Sequence, residues 1–318
     1  MLSIASFKQH LAQLTSSTHF LVAYSGGVDS HVLLHLMSQI EGVEVTAIHV
    51  NHGLNEAADQ WQVHCQSVCD ALDVSFREFT INVIKKPRQS LEAVARDMRY
   101  SVLEHLVKND VVLVTGHNEN DQAETVLLQL MRGAGVKGLS AMPMVKAFGQ
   151  GQLMRPLLNV TRADIETYAR TNALEWIEDS SNADDDFDRN FLRNQILPQL
   201  QTRREGVLPN LARSAQHIAE AADLIQEFAA MDYEVIKGDD PKRLNIELLK
   251  QLSDSRQSNV IRYWLGLQNR NVRMPSQAIL EQIKQQLLFS YPGSHPVVQW
   301  GKVMLRREQG AMYVTCLS

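Results

Sequence analysis

The chain has 318 residues, a formal net charge of −5 and 44% hydrophobic residues, a length that favours two domains over one core. No apolar run approaches the roughly 20 residues needed to span a bilayer, and the start Met1-Leu2-Ser3-Ile4 lacks a basic segment leading into a long apolar one, so the expectation is a cytoplasmic protein with no membrane partner. Cys65, Cys69 and Cys316 are the only cysteines, too few for a disulfide framework and consistent with a reducing compartment, while the negative charge excludes nucleic-acid binding by bulk charge and requires local basic patches for any such role.

In chain order, residues 1–18 read as a short amphipathic helix and a polar turn. The apolar run Phe20-Leu21-Val22-Ala23 then meets Tyr24-Ser25-Gly26-Gly27-Val28-Asp29-Ser30. A helix with apolar residues at helical spacing follows, from about Ser30 to Met37, and Ser30 is placed to cap it. Strand, glycine loop and helix together aim backbone N–H groups at a phosphate. Gly26 and Gly27 permit close backbone approach, and Ser25 and Ser30 supply hydroxyls. No lysine follows the glycines, so this is not a Walker A loop.

Residues 43–50 form a second predicted strand and Val74 to Ile81 a third, with a helix around Ala57 to Leu72 between them. Cys65 and Cys69 share a face of that helix and read as buried apolar thiols. A basic loop at Lys85-Lys86-Pro87-Arg88 precedes a helix that Ser90 caps and that ends near Lys108. Val111-Val112-Leu113-Val114-Thr115 has the pattern of a strand covered on both faces. A helix from about Asn120 to Met131 and a glycine-rich loop, Arg132 to Leu139, come next. Thr161 with Asp164 opens a further helix in the manner of a capping box. Asp184-Asp185-Asp186 reads as part of a mobile loop. Residues 189–231 look helical with breaks at Pro198 and Pro209, and a domain boundary falls near 210–220. Beyond it lie helical patterns at 246–267 and 276–289, then strand-like runs around Val297–Trp300 and Met312–Thr315, with a hairpin at Gly310.

Alternating strands and helices imply a parallel, doubly wound α/β sheet over residues 1–215, with a smaller α+β domain over 216–318. Ligands bind beyond the carboxyl ends of such strands. Three polar turns lie at those ends, after Tyr24, Val50 and Thr115. His49-Val50-Asn51-His52-Gly53-Leu54 offers His49 and Asn51 to a base or ribose. Glu92 and Arg96 are four apart on one helix face, the spacing of an ordinary ion pair. In Gly116-His117-Asn118-Glu119-Asn120-Asp121-Gln122-Ala123-Glu124-Thr125, Asp121 and Glu124 share a face. Acids there complement a helix N-terminus, hold Mg²⁺ through oxygens, or bind the ammonium of an amine substrate, and spacing alone leaves the three open. Arg189 and Arg193, four apart, present two guanidiniums suited to phosphate.

The order Ser-Gly-Gly-x-Asp-Ser resembles the pyrophosphate loop of the N-type ATP pyrophosphatases. With His49–Leu54, Glu92–Tyr100, Gly116–Thr125, Arg132-Gly133-Ala134-Gly135, Arg155-Pro156-Leu157-Leu158, Asp179-Ser180-Ser181-Asn182 and the Arg189-Asn190-x-x-Arg193 helix, the chain resembles the bacterial tRNA(Ile)-lysidine synthetase family over most of residues 19–200. The resemblance implies ATP-dependent adenylation of the C2 oxygen of the wobble cytidine in the CAU anticodon of tRNA(Ile). Attack by the ε-amine of free L-lysine then releases AMP. It implies ATP as substrate with Mg²⁺ on its phosphates, bound by Ser25, Gly26, Gly27, Val28, Asp29, Ser30, His49 and Asn51. Asp29, Asp121 and Arg193 are the expected catalytic residues, and Asp121 and Glu124 the candidates for lysine or metal. Arg96, Arg132, Arg189 and Arg193 are those for tRNA or phosphate. A tRNA-binding role is expected of residues 216–318, members commonly carry a further C-terminal domain, and the reading leaves room for a homodimer. Rival readings are a tRNA thiolase on the same fold and a non-catalytic tRNA-binding protein. Sulfur delivery needs a reactive cysteine or a cysteine-held cluster, and no C-x-x-C occurs here.

Overall fold

A computed structural model of the chain describes residues 2–51, 53, 58–83, 91–178, 184–238, 240–268, 274–291 and 294–316. The chain divides into two compact units, Met1–Ala219 and Glu220–Ser318.

The first unit contains α1 (Ile4–Leu14), β1 (His19–Ala23), α2 (Val28–Ser38), β2 (Glu44–Asn51), α3 (Ala58–Ala71), β3 (Ser75–Thr80), α4 (Leu91–Leu106) and β4 (Val111–Val114). It continues with α5 (Glu119–Met131), α6 (Val136–Leu139), β5 (Val145–Phe148), β6 (Gly151–Met154), α7 (Arg162–Thr171), α8 (Asp188–Phe191), a π-helical turn (Leu192–Ile196) and α9 (Leu197–Arg203). Helix α10 (Val207–Ile236) contains the boundary between the units. Pro198 and Pro209 sit in the first turns of α9 and α10, where a missing N–H costs nothing, so they start helices instead of breaking them.

The sheet has six strands in the order β3-β2-β1-β4-β6-β5. Val22 of β1 is in parallel register with Ala47 of β2 on one side and Val114 of β4 on the other. The order therefore reverses between β1 and β4, which places a crevice beyond their carboxyl ends. Strand β5 runs antiparallel to β6 at the edge, so the sheet is mostly, not wholly, parallel. These two strands escape sequence reading because Val145-Lys146-Ala147-Phe148-Gly149-Gln150-Gly151-Gln152 shows no run of alternating apolar residues.

Helix α2 buries Val32, Leu33, Leu34, Leu36 and Met37 completely, because the sheet lies on one side and α7 on another, with His35 Nδ1 2.9 Å from the Tyr168 hydroxyl. Its N-cap is Gly27. Ser30 does not cap it: its hydroxyl donates back to the Gly27 carbonyl at 2.9 Å.

The second unit carries the end of α10, then β7 (Arg243–Asn245), α11 (Ile246–Lys250), α12 (Asp254–Gln268), α13 (Gln277–Ile283), a π-helical turn (Lys284–Leu288), β8 (Val297–Trp300), β9 (Val303–Glu308) and β10 (Ala311–Cys316). Its four strands form an antiparallel sheet in the order β7-β10-β9-β8. Gln309 and Gly310, both with positive φ, make the two-residue hairpin turn between β9 and β10. Leu244, Val298, Leu305, Met312 and Val314 face Trp264, Leu280 and Ile283 of the helices in one core.

The first unit brings two loops into backbone contact. A Cβ added to Gly116, after β4, would lie 2.8 Å from the Asp29 carbonyl oxygen and 3.0 Å from the Ser30 nitrogen. Backbone cannot yield there as a flexible side chain would, so a glycine is required. Gly116→Ala is expected to lower unfolding stability by about 1–3 kcal/mol. Chemical denaturation measures it, and an unchanged midpoint would show that the loops do not meet.

Candidate active site

A cleft of about 1180 Å³ opens at the carboxyl ends of β1, β2 and β4. That exceeds the usual size of a single small-molecule pocket. The three turns singled out in the sequence all contribute to its walls.

Gly26 has φ +85°, and a side chain there would strike Ile177 Cδ1 at 2.7 Å. The Ile177 N–H donates to the Gly26 carbonyl at 3.0 Å, so residues 176–178 brace the loop from one side. Within the loop, the Ser25 N–H donates to Ser30 Oγ at 3.2 Å and the two hydroxyls are 3.0 Å apart. With its single proton committed to the Gly27 carbonyl, Ser30 accepts from Ser25. The hydroxyls therefore set the loop's shape. Outward donors remain in the first-turn amides of α2, including Val28, Asp29 and Ser30, which have no intrahelical carbonyl to reach. Together with the positive end of the helix they form an anion cradle.

Asp29 joins that cradle to two other elements. Its Oδ1 accepts from Asn118 Nδ2 at 2.9 Å, and its Oδ2 pairs with Arg162 Nη1. Asn118 is the N-cap of α5: its Oδ1 accepts from the Asn120 and Asp121 amides, and its own N–H donates to Asp121 Oδ2 at 3.0 Å. Burial pushes the Asp29 carboxyl up, Arg162 opposes this, and Asp121 adds to it, leaving the group at about 6. Arg162 also donates to Glu166 Oε1 at 2.9 Å. Sequence reading found the Thr161 cap, which accepts the Asp164 N–H at 3.0 Å, but not the arginine that the cap places next in line.

The second polar cluster joins α5 to the segment after α7. Glu124 has 0% side-chain exposure. Its Oε2 accepts from Arg189 Nε at 2.7 Å and its Oε1 from Arg193 Nε at 2.6 Å. Both arginines also reach Asp121 Oδ1, at 3.4 and 3.2 Å. Two guanidiniums thus balance two carboxylates, and Glu124 lies beneath the cleft as their anchor. Its carboxylate is not open to a ligand. Asp121 and Arg193 do line the cleft. Arg193 projects from the π-helical turn, a deviation common where a helix must aim a functional side chain.

The remaining sequence candidates divide. His49 and Asn51 end β2 in the cleft wall; His49 Nδ1 lies 3.0 Å from the Tyr24 carbonyl, and Asn51 Oδ1 accepts the Gly53 N–H at 2.8 Å. Arg96 stacks on the Tyr100 ring at 5.1 Å and Arg132 is exposed at the end of α5, and neither lines the cleft. Arg99 and Tyr100 do, as do Trp61, Trp176 and His117, none of which sequence reading selected. Burial pushes His117 down to about 3, so its imidazole is neutral. The acidic run is not simply a loose loop: Asp185 accepts from Asn194 Nδ2 at 2.8 Å and Gln195 Nε2 at 2.7 Å, and faces the cleft. The Glu92 side chain, His52, Leu54, Lys85–Arg88 and Asp179–Asn182 lie outside the described residues. Cys65 and Cys69 are buried away from the cleft lining, and burial pushes both thiols up to about 12.

Removing one partner from a buried ion cluster leaves the others uncompensated. Glu124→Gln is accordingly expected to cost about 3 kcal/mol of stability, read by denaturant unfolding. A cost below about 0.5 kcal/mol, the level of an exposed pair, would contradict the buried anchor.

Comparison with known proteins matches residues 3–200 to the PP-loop domain and residues 244–313 to the TilS substrate binding domain. The chain is 43% identical to the tRNA(Ile)-lysidine synthase of Coxiella burnetii over 96% of its own length and 68% of that protein's. It is 41% identical to that of Methylococcus capsulatus over 98% and 71%, and 43% identical to that of Nitrosomonas europaea over 89% and 62%. The chain therefore spans roughly two thirds of the length of these relatives. Among solved structures, the U34-tRNA thiolase NcsA of Methanococcus maripaludis with its [4Fe-4S] cluster superposes with a TM-score of 0.57, covering 68% of this chain and 78% of that one. At 16% identity it shares the fold alone. Both domain matches and the identity to curated relatives agree with the glycine-loop site: the chain belongs to the tRNA(Ile)-lysidine synthase family, ATP-dependent ligases that form a C–N bond.

Proposed function

We propose that this one cleft carries both half-reactions of lysidine formation on the wobble cytidine of tRNA(Ile) with a CAU anticodon, in the cytoplasm. The observation that carries this reading is that Asp121 and Arg193 line the same cleft as the Ser25–Ser30 loop. In the first step the cytidine C2 oxygen attacks the α-phosphorus of ATP, the α–β bridging bond breaks and pyrophosphate leaves. The first-turn amides of α2 meet the charge growing on that leaving group. In the second step the neutral ε-amine of lysine attacks C2, the C2–O bond breaks, and AMP departs with that oxygen as the amine gives up a proton.

Mg²⁺ binds ATP enzymes through one or two carboxylates and the nucleotide's own phosphates. Among the described residues no cluster of three acid, histidine or cysteine side chains could hold a metal alone. Asp29, in the first turn of α2, is a cleft-lining carboxylate within the cradle itself, and it fits that mode. Bound there, Mg²⁺ would neutralise phosphate charge.

Free lysine carries an α-carboxylate and an α-ammonium beside the reacting amine. The cluster of Asp121, Glu124, Arg189 and Arg193 has the matching pattern of both signs at zero net charge. Arg193 pairs the α-carboxylate and Asp121 the α-ammonium, which leaves the ε-amine free to reach C2. Glu124 holds the arginines in place from below.

The deciding assay is lysine-dependent AMP formation on an unmodified CAU-anticodon transcript. Lysine-dependent release supports the reading; release that depends instead on a sulfur donor would assign a thiolase, and none at all a binding protein. Asp121→Asn should raise the KM for lysine about tenfold, the worth of one charge-assisted bond, with the KM for ATP changed less than twofold. Equal effects on both would remove the lysine pocket from this position.

A further inference from the structure

Arg162 stands where its own helix does not favour it. It is the first residue of α7, and a helix N-terminus carries partial positive charge that repels a cation. Two acids offset this. Its Nε donates to Glu166 Oε1 at 2.9 Å, one turn along the same helix, and its Nη1 pairs with Asp29 Oδ2 in the first turn of α2. The backbone is fixed as well: the Arg162 N–H donates to Asn120 Oδ1 at 3.2 Å, directly after the Thr161 cap. The root of the side chain is therefore held by α5 and α7, while the guanidinium reaches across to the phosphate cradle and lines the cleft.

The two bonds of that guanidinium differ in kind. The Glu166 pair is local, spanning i to i+4, and does not involve Asp29. The Asp29 pair uses Nη1, and among the described residues no hydrogen-bond acceptor meets Nη2. Asp29 has both oxygens occupied, one by Asn118 and one by Arg162, so it takes a metal ion only by giving up one of these bonds. Asn118 is fixed, because its amide oxygen caps α5 through two N–H groups. Arg162 is the partner able to leave, with a side chain 38% exposed. Its donors then face any anion seated on the α2 amides beside Asp29. A polyphosphate offers that guanidinium paired oxygens in the geometry arginine matches.

We propose that Arg162 is a clamp on the departing pyrophosphate of ATP, exchanging Asp29 for β- and γ-phosphate oxygens when the nucleotide binds, an inference that rests on the proposed adenylation in this cleft. Glu166 keeps the guanidinium aimed through the exchange. The same movement frees one Asp29 oxygen for Mg²⁺, so a single side chain couples nucleotide binding to metal binding.

Calorimetric titration of the full chain with inorganic pyrophosphate, and separately with AMP, both with Mg²⁺ present, tests this, since only pyrophosphate presents the groups Arg162 is to hold. Arg162→Ala should weaken pyrophosphate binding about tenfold, the worth of one charge-assisted hydrogen bond, with AMP affinity changed less than twofold. Arg162→Lys should recover part of the loss. The Asp29→Asn background separates contact from support: there Arg162→Ala should again cost about tenfold, because the clamp touches phosphate and does not act through Asp29. Wild-type pyrophosphate affinity in Arg162→Ala, an equal loss for AMP, or no further loss in the Asp29→Asn background would overturn the proposal. If Arg162→Ala does not fold, Arg162→Gln, which carries a donor without the charge, gives the same reading. Failure of the functional reading is seen separately, as a wild-type chain that holds pyrophosphate through Arg162 yet forms no lysine-dependent AMP on the tRNA transcript.

Discussion

Asp29 is the constraint on which the site depends. A single carboxylate ties the loop after β1 to the α5 N-cap through Asn118 and to the start of α7 through Arg162. Those three elements are far apart in sequence, and neither bond would form without the sheet order that sets β1 beside β4. The cost of holding the charge there is visible in its position: burial keeps the carboxyl at about 6 despite the guanidinium beside it. Because that lies above the ordinary value, ionisation works against folding, and the group's contribution to stability is lost as pH rises from about 4 through 6. The fold tolerates this strain where a carboxylate is needed next to a phosphate cradle.

A second constraint separates nitrogen from sulfur chemistry on one scaffold. The likeness to a U34-tRNA thiolase extends to the fold and no further. Cys65 and Cys69 are buried with their thiols pushed up to about 12, so neither is a thiolate near neutrality. What the cleft offers instead is Asp121 and Arg193, held in a charge-balanced cluster with the buried Glu124 and with Arg189. A neutral set suits a zwitterionic amino acid better than it suits a lone cation or anion, since either of the latter would leave one sign unpaired.

The motif-bearing turns were legible in sequence because each combines an unusual residue order with a strand end. Gly27, Asp29, His49, Asn51 and Asp121 all reach the cleft. Pairwise roles were less legible. Asp121 and Glu124 are three apart and look equivalent, yet one faces the cleft and the other is sealed beneath it, because Arg189 and Arg193 return some sixty-five residues later to cover Glu124. Arg162 was hidden for a similar reason. Its partner is Asp29, 133 positions away, and nothing local marks an arginine at a helix start as a site residue. Arg99, three residues from the chosen Arg96, lines the cleft while Arg96 stacks on Tyr100; spacing marks the two as neighbours on one helix but not which of them reaches the cavity. In the second unit the strand β7 is three residues long and carries no periodic signal of its own.

The central claim is that the cytidine oxygen itself becomes the leaving group, so that the loop and the lysine subsite act in sequence on one carbon. Tracing that oxygen tests it most directly. A transcript carrying ¹⁸O at C2 of the wobble cytidine is incubated with enzyme, ATP and lysine, and the released AMP is examined by mass spectrometry. AMP bearing the label, formed in step with lysine incorporation, is the result the account predicts. Unlabelled AMP, with the heavy oxygen retained in the base or lost to water, would contradict it.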